Sequence, residues 1–142
     1  MRPKKVILCV DDDEQTLSVL VYMLNVNGFR ALAATSGEDA IAVFKSTQID
    51  MVLTDFAMPN MSGDQLVVKL KSVAPHVPMV LLADDPMKFS SVFHGADALL
   101  SKKTISAVEM LERVRIMSAR KRGPRKGVAR APRPAVETQA TA

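Results

Sequence analysis

Three apolar runs in this chain stop at charged residues. The run 6–10 of "VILCVDDDE" ends in Asp11 and Asp12, the run 51–53 of "MVLTDFAMPNMSG" leads into Asp55, and the run 98–100 of "GADALLSKK" leads to Lys102. An ionised carboxylate is costly to bury without partners, so each acid belongs at the mouth of its element, among water, cations or donors. Taken alone, Asp55 reads equally well as a turn-starting aspartate. Taken together, three carboxylates at one mouth repel one another, and a divalent cation is the usual compensation; oxygen-only ligands suit Mg2+. A lysine facing them can pair with a carboxylate in the empty site and with phosphoryl oxygens in a filled one. An aspartate beside a cation and in line with a phosphoryl donor can act as a nucleophile and become an aspartyl phosphate.

For these residues to meet, the apolar runs must be parallel strands with their C-terminal ends together. Strand-like runs at 5–10, 30–34, 51–54, 79–82 and 98–100 alternate with helix-period patterns, the arrangement of βαβ units around a parallel sheet. Leu17, Leu20, Val21 and Leu24 give a first helix one apolar face, stopped by Asn27 and Gly28. Ala40, Ile41, Val43 and Phe44 mark a second helix, and Leu66, Val67 and Leu70 a third. A last helix is expected over about 104–118, with Ala107, Val108, Leu111, Val114 and Arg115 on one face. The result is an α/β fold with its ligand end at the strand C-termini.

The 142 residues, 48% of them apolar, suffice for one domain with a core. No apolar run approaches the roughly 20 residues of a membrane span and no cleavable leader pattern opens the chain, so no membrane insertion and a cytoplasmic address are expected. Cys9, the single cysteine, lies in an apolar run and reads as a buried, inert thiol. Charge is divided unevenly: residues 1–117 carry 12 Lys/Arg against 14 Asp/Glu, and residues 118–142 carry 7 against 1. That basic segment holds too few large apolar residues to repay its own ordering, and 119–142 is expected to be a disordered tail. Weak contact with a polyanion is one reading of it, a solvated tail the other.

Residues 4–118 resemble the receiver domain of two-component response regulators. The resemblance rests on "ILCVDDDE", "LTDFAMPNMSG" and "GADALLSKK", above all on Asp55 followed by Met58-Pro59 and Gly63. It implies a flavodoxin-like (βα)5 three-layer sandwich with a five-stranded parallel sheet of order 2-1-3-4-5. It further implies that Asp55 is the phosphoacceptor, that Asp11 and Asp12 bind Mg2+ with Asp55 and the backbone carbonyl of Ala57, and that Lys102 is the family's phosphoryl-pairing lysine. Partners would be a histidine kinase or histidine phosphotransfer protein and a downstream protein; the partner surfaces, a homodimer contact included, are not written in the motifs.

The same comparison exposes departures. Ala83 stands where the family usually has a Ser or Thr, and a methyl group makes no hydrogen bond to a phosphoryl oxygen. Leu99 replaces the usual switch aromatic, and Lys103 replaces the proline after the lysine, so a trans peptide is expected there. The segment from Ala83 to Gly95 is short, which predicts a shortened or irregular fourth helix, and Asp84 and Asp85 either add negative charge near the phosphoryl position or point into solvent. The chemistry is retained and the usual readout is not. The expected function is an atypical single-domain receiver in a phosphorelay, a signalling protein rather than an enzyme; the competing reading is a pseudo-receiver scaffold that works without phosphorylation. A haloacid-dehalogenase-type phosphatase needs a second Asp two residues after the nucleophile, where this chain has Ala57.

Overall fold

Five short apolar runs form the sheet because both of its faces are covered. The computed structural model describes residues 3–85 and 95–119. Its strands are β1 (Val6–Val10), β2 (Arg30–Ala34), β3 (Met51–Asp55), β4 (Met79–Ala83) and β5 (Ala98–Ser101). All neighbouring strands are parallel and the order is β2-β1-β3-β4-β5, the doubly wound order the resemblance implies. Strand limits differ from the sequence reading by a residue at most. The helix expected between β4 and β5 falls within 86–94, outside the described residues, as does the segment from residue 120 onward.

Four helices flank the sheet: α1 (Glu14–Val26), α2 (Gly37–Ser46), α3 (Gly63–Val73) and α4 (Ala107–Ser118). Alternation along each strand sends side chains to opposite layers. Leu8, Val10, Val52, Met79 and Leu81 pack with Ala40, Leu66, Val67 and Leu70 of α2 and α3. Ile7, Cys9, Met51, Leu53, Val80 and Leu82 pack with Leu17, Leu24, Met110, Val114 and Met117 of α1 and α4. Each fully buried Leu, Ile or Val removes enough apolar surface from water to contribute about 1.5–3 kcal/mol. Cys9 is enclosed in this core, and burial pushes its thiol up to about 12, so it stays protonated and inert as expected.

The last helix corrects the sequence reading. It starts at Ala107 rather than near Thr104, because Ser106 is the N-cap: its hydroxyl accepts the Glu109 N–H at 3.1 Å while Glu109 accepts the Ser106 N–H at 2.9 Å. Its buried face is Met110, Val114 and Met117, whereas Ala107, Val108 and Arg115 are exposed. Two apolar series of helical spacing run along this segment, and the one carrying the methionines faces the sheet.

Candidate functional site

The sheet's C-terminal mouth is built from the ends of β1, β3 and β5. Asp11 follows β1 and donates its N–H to the Ala34 carbonyl at 3.2 Å, which ties the end of β1 to the end of β2. Its Oδ1 accepts the Asp13 N–H at 2.9 Å, turning the chain toward α1. Asp13 is the N-cap: its carboxylate takes the Gln15 N–H at 3.1 Å and the Thr16 hydroxyl at 2.7 Å. The Thr16 bond, with the Gln15 N–H, holds the Asp13 carboxyl below the usual carboxylate range. Of the three consecutive aspartates, the third is therefore committed to starting a helix. The sequence reading did not single it out, although an Asp two residues before Gln15-Thr16 and the first helical turn was a usable signal.

Asp55, the last residue of β3, is buried at 6% exposure, and Asp11 is buried at 4%. Asp12 is exposed. One carboxylate oxygen from each of Asp11, Asp12 and Asp55 lies within 4.8 Å of the others. Lys102, one residue beyond β5, reaches both buried acids: Nζ is 3.0 Å from Asp11 Oδ2 and 3.2 Å from Asp55 Oδ1. Its backbone N–H donates to the Ala83 carbonyl at 2.7 Å, which fixes where the side chain starts. The adjacent pair Asp11 and Asp12, Asp55 and Lys102, three places far apart in sequence, thus meet at one mouth.

The electrostatics follow from this crowding. Burial and the charge of Asp11 push the Asp55 carboxyl up to about 6, with Lys102 opposing them. Partial burial works to lower Lys102, but its hydrogen bond to Asp11 and the charges of Asp55 and Asp11 outweigh that and hold it above the usual lysine value. A pocket with more negative than positive groups, made of oxygen donors and open at Asp12, fits a hard divalent cation. Ala57, whose carbonyl was expected to add a ligand, lies on the exposed loop two residues beyond Asp55.

That loop is shaped by its own residues. The Phe56 N–H donates to the Leu82 carbonyl at 2.8 Å, and the Gly63 N–H closes the loop on the Phe56 carbonyl at 2.8 Å. Between them Asn60 adopts a left-handed φ of 70°, and the Met61 N–H reaches the Pro59 carbonyl at 2.7 Å. Asparagine tolerates this conformation far better than a branched residue would.

The departures are placed as follows. Ala83 ends β4, buried at 2%, in register with Ser101 of β5. Leu99 is partly buried against the α2/α3 side of the core. Every described peptide bond is trans, including that before Lys103. Asp84 and Asp85 are exposed, in keeping with the solvated alternative, and His76 is exposed while His94 lies outside the described residues. No described helix is long and apolar enough to cross a membrane.

Comparison with known proteins places these features in a wider set. The profile of the response regulator receiver domain matches residues 7–115. Sensory transduction protein RegX3 of Mycobacterium tuberculosis is 31% identical over 117 residues, covering 80% of this chain and 51% of RegX3. The autoinducer 1 sensor kinase/phosphatase LuxN of Vibrio harveyi is 35% identical over 79 residues, covering 56% of this chain and 9% of LuxN. The chain thus spans at most about half the length of these curated relatives. Among solved structures, response regulator TrrA of Thermotoga maritima, in complex with Mg2+-BeF, superposes with a TM-score of 0.74 at 27% identity, covering 80% of this chain and 98% of TrrA. A CheY-like receiver domain protein of Methanospirillum hungatei gives a TM-score of 0.76 at 25% identity, covering 82% and 94% respectively.

Proposed function

The chain belongs to the response regulator receiver domain family, and from that membership we propose that it accepts a phosphoryl group on Asp55 from a histidine kinase or histidine phosphotransfer protein and signals through protein contact. The observation that carries this reading is the bridge from Lys102 Nζ to Asp11 and Asp55, at 3.0 and 3.2 Å, beside the open carboxylate of Asp12. Receiver domains are signalling proteins; on this reading Asp55 receives a group and no substrate is turned over.

In the proposed step an Asp55 carboxylate oxygen forms a bond to phosphorus while the bond from phosphorus to the donor's imidazole nitrogen breaks, and the imidazole leaves with that electron pair. Asp11, Asp12 and Asp55, with the Ala57 carbonyl, would hold Mg2+. When bound, Mg2+ neutralises charge on the carboxylates and on the incoming phosphoryl oxygens. Lys102 exchanges its Asp55 partner for a phosphoryl oxygen, so the same ammonium serves the empty and the filled site. Asp12 and Ala57, which are exposed, mark the side from which a partner protein would approach Asp55.

The experiment is phosphorylation with a small acyl phosphate and Mg2+, followed by intact mass. Wild-type protein gains one phosphoryl group and Asp55→Asn gains none. If wild type stays unlabelled while a known receiver is labelled in the same assay, the reading fails.

A second reading, a pseudo-receiver scaffold, is favoured by one observation: β4 ends in the buried methyl of Ala83, so the family's usual hydroxyl link from phosphoryl group to loop is missing there. On that reading Asp55→Asn leaves signalling in cells unchanged. A clear loss of signalling removes it.

A further inference from the structure

Helix α1 has two apolar faces, and the sheet covers one of them. Leu17 and Leu24 are buried against the strands, with Leu20 and Val21 partly buried beside them. At about 100° per residue, the opposite side of the helix carries Gln15, Val19, Tyr22 and Val26. All four are exposed, Val19 at 67%, Tyr22 at 70% and Val26 at 60%. Their spacing of four, three and four residues is that of the d and a positions of a heptad, with a β-branched valine at each a. That is the pattern of a helix-pairing seam, narrower than the face a helix lays on a sheet. No charge interrupts it, since the sequence between Glu14 and Arg30 holds no Asp, Glu, Lys or Arg.

The two ends of the seam carry opposite charge. Asp12, Asp13 and Glu14 are exposed where α1 begins, at the mouth of the sheet. At its other end α1 stops at Asn27, beside the starts of β1 and β2, where the Arg30 N–H bonds the Lys5 carbonyl at 2.9 Å. Lys4, Lys5 and Arg30 are exposed there, and Lys5 has the parity of Ile7, whose side chain packs in the α1 layer. A helix with an acidic start, a neutral apolar middle and a basic end is complementary to itself turned end for end.

We propose that α1 is a contact between two copies of this chain, which pair through antiparallel α1 helices about a two-fold axis at Tyr22. In that pairing Val19 of each protomer faces Val26 of the other, and the two Tyr22 rings meet at the axis. The acids that open α1 come beside the basic end of the other helix, and the helix dipoles run head to tail. A parallel pairing would instead set acids against acids. A partner of one predominant charge gains at one end of the seam and loses at the other, whereas a second copy gains at both. Three side chains from each copy form a contact smaller than the roughly 1,200 Å2 of a stable interface, so the dimer is weak, with a dissociation constant on the order of 100 µM. Each α1 starts at its own mouth, so the antiparallel pair carries the two mouths at opposite ends and leaves each Asp55 accessible.

The test is sedimentation equilibrium of the full chain from about 10 µM to about 1 mM. Wild type shows a monomer–dimer equilibrium, and Tyr22→Glu, which sets two carboxylates at the axis, raises the dissociation constant at least about tenfold. Lys5→Glu and Glu14→Lys each weaken the dimer, and the variant carrying both regains most of the loss, because an antiparallel pairing brings these two positions together and a parallel one does not. Val108→Glu, at an exposed position of α4, leaves the equilibrium unchanged. Cooperative thermal unfolding, kept in every variant, shows that the fold is intact. The proposal is overturned by a chain that stays monomeric, whatever Tyr22→Glu does to transfer from a phosphodonor protein, by a dimer that Tyr22→Glu leaves intact, or by a double variant that regains nothing.

Discussion

Gly63 opens α3 directly against the backbone of Asp55. A Cβ at Gly63 would fall on the Asp55 carbonyl oxygen and would come within 2.8 Å of Leu81 Cδ2. Neither neighbour can yield easily, since one is strand backbone and the other a buried core side chain. Gly63→Ala is therefore expected to cost about 3 kcal/mol of stability and to displace Asp55, lowering its phosphorylation. Gly28 is the contrast: with φ at +94° and no atom within 4 Å of an added Cβ, Gly28→Ala pays only for its backbone, about 1–2 kcal/mol, and leaves labelling intact. Urea unfolding and intact mass on both variants check the pair.

Asp55 also makes stability depend on pH. Its carboxyl is raised from 3.8 to about 6 in the folded protein, so folding favours its protonated form. The sign follows: the contribution is fully present below the unfolded value near 4 and is lost as pH rises through about 6. Asp55→Asn removes this loss and should be more stable than wild type at pH 8, by about 3 kcal/mol at most. The gap should close as pH falls toward 4. Adding Mg2+ should narrow it from the other side, because only the ionised site repays cation binding. Paired unfolding curves with and without Mg2+, from pH 4 to 8, test all three statements; a pH-independent gap would contradict them.

Lys102 is the cation that the described structure pairs with the buried acids Asp11 and Asp55. Lys102→Met keeps the length of the stem and removes the charge. In the metal-free protein this leaves two buried carboxylates facing each other, at a cost of about 2 kcal/mol and with Asp55 moved further upward. Mg2+ no longer competes with an ammonium, so its affinity should rise while the phosphorylated state loses a partner. Mg2+ titration by calorimetry, set beside phosphoryl lifetime, separates the two effects. Asp12→Asn gives the complementary result, weaker Mg2+ binding with little change in metal-free stability, because Asp12 is exposed.

The strands were legible in the sequence because a parallel sheet covered on both faces writes each strand as an unbroken apolar run. The charged residues that end those runs announced the site, whereas the strand order β2-β1-β3-β4-β5 was implied by the family resemblance and not by the runs themselves. Other features were hidden for definite reasons. The start of the last helix was not among them: Ser106 and Glu109 have the spacing of a capping box, a signal that the sequence carried and that the start near Thr104 passed over. Val108 and Met110 head competing apolar series, and the choice between them depends on the sheet. The close approach of Gly63 to Asp55 is a backbone matter with no side-chain signature.

The least legible contact joins residues 26 apart. Lys71 Nζ lies 2.8 Å from Asp97 Oδ2 and also donates to the carbonyls of Val77 at 2.8 Å and Pro75 at 3.1 Å. The same Asp97 oxygen accepts the Met79 N–H at 2.8 Å, so one ion pair closes the α3–β4 loop and anchors the starts of β4 and β5. Both side chains are only partly exposed, and the pair satisfies backbone groups as well as itself, which sets it apart from an ordinary surface bridge. Lys71→Met and Asp97→Asn should each cost about 1–3 kcal/mol, and the double variant less than their sum, with a coupling of about 1 kcal/mol. Asp55 labelling should be unchanged in all three, because the clamp lies at the opposite end of the sheet. Additive losses in a double-mutant cycle would show that the two residues act on the fold separately.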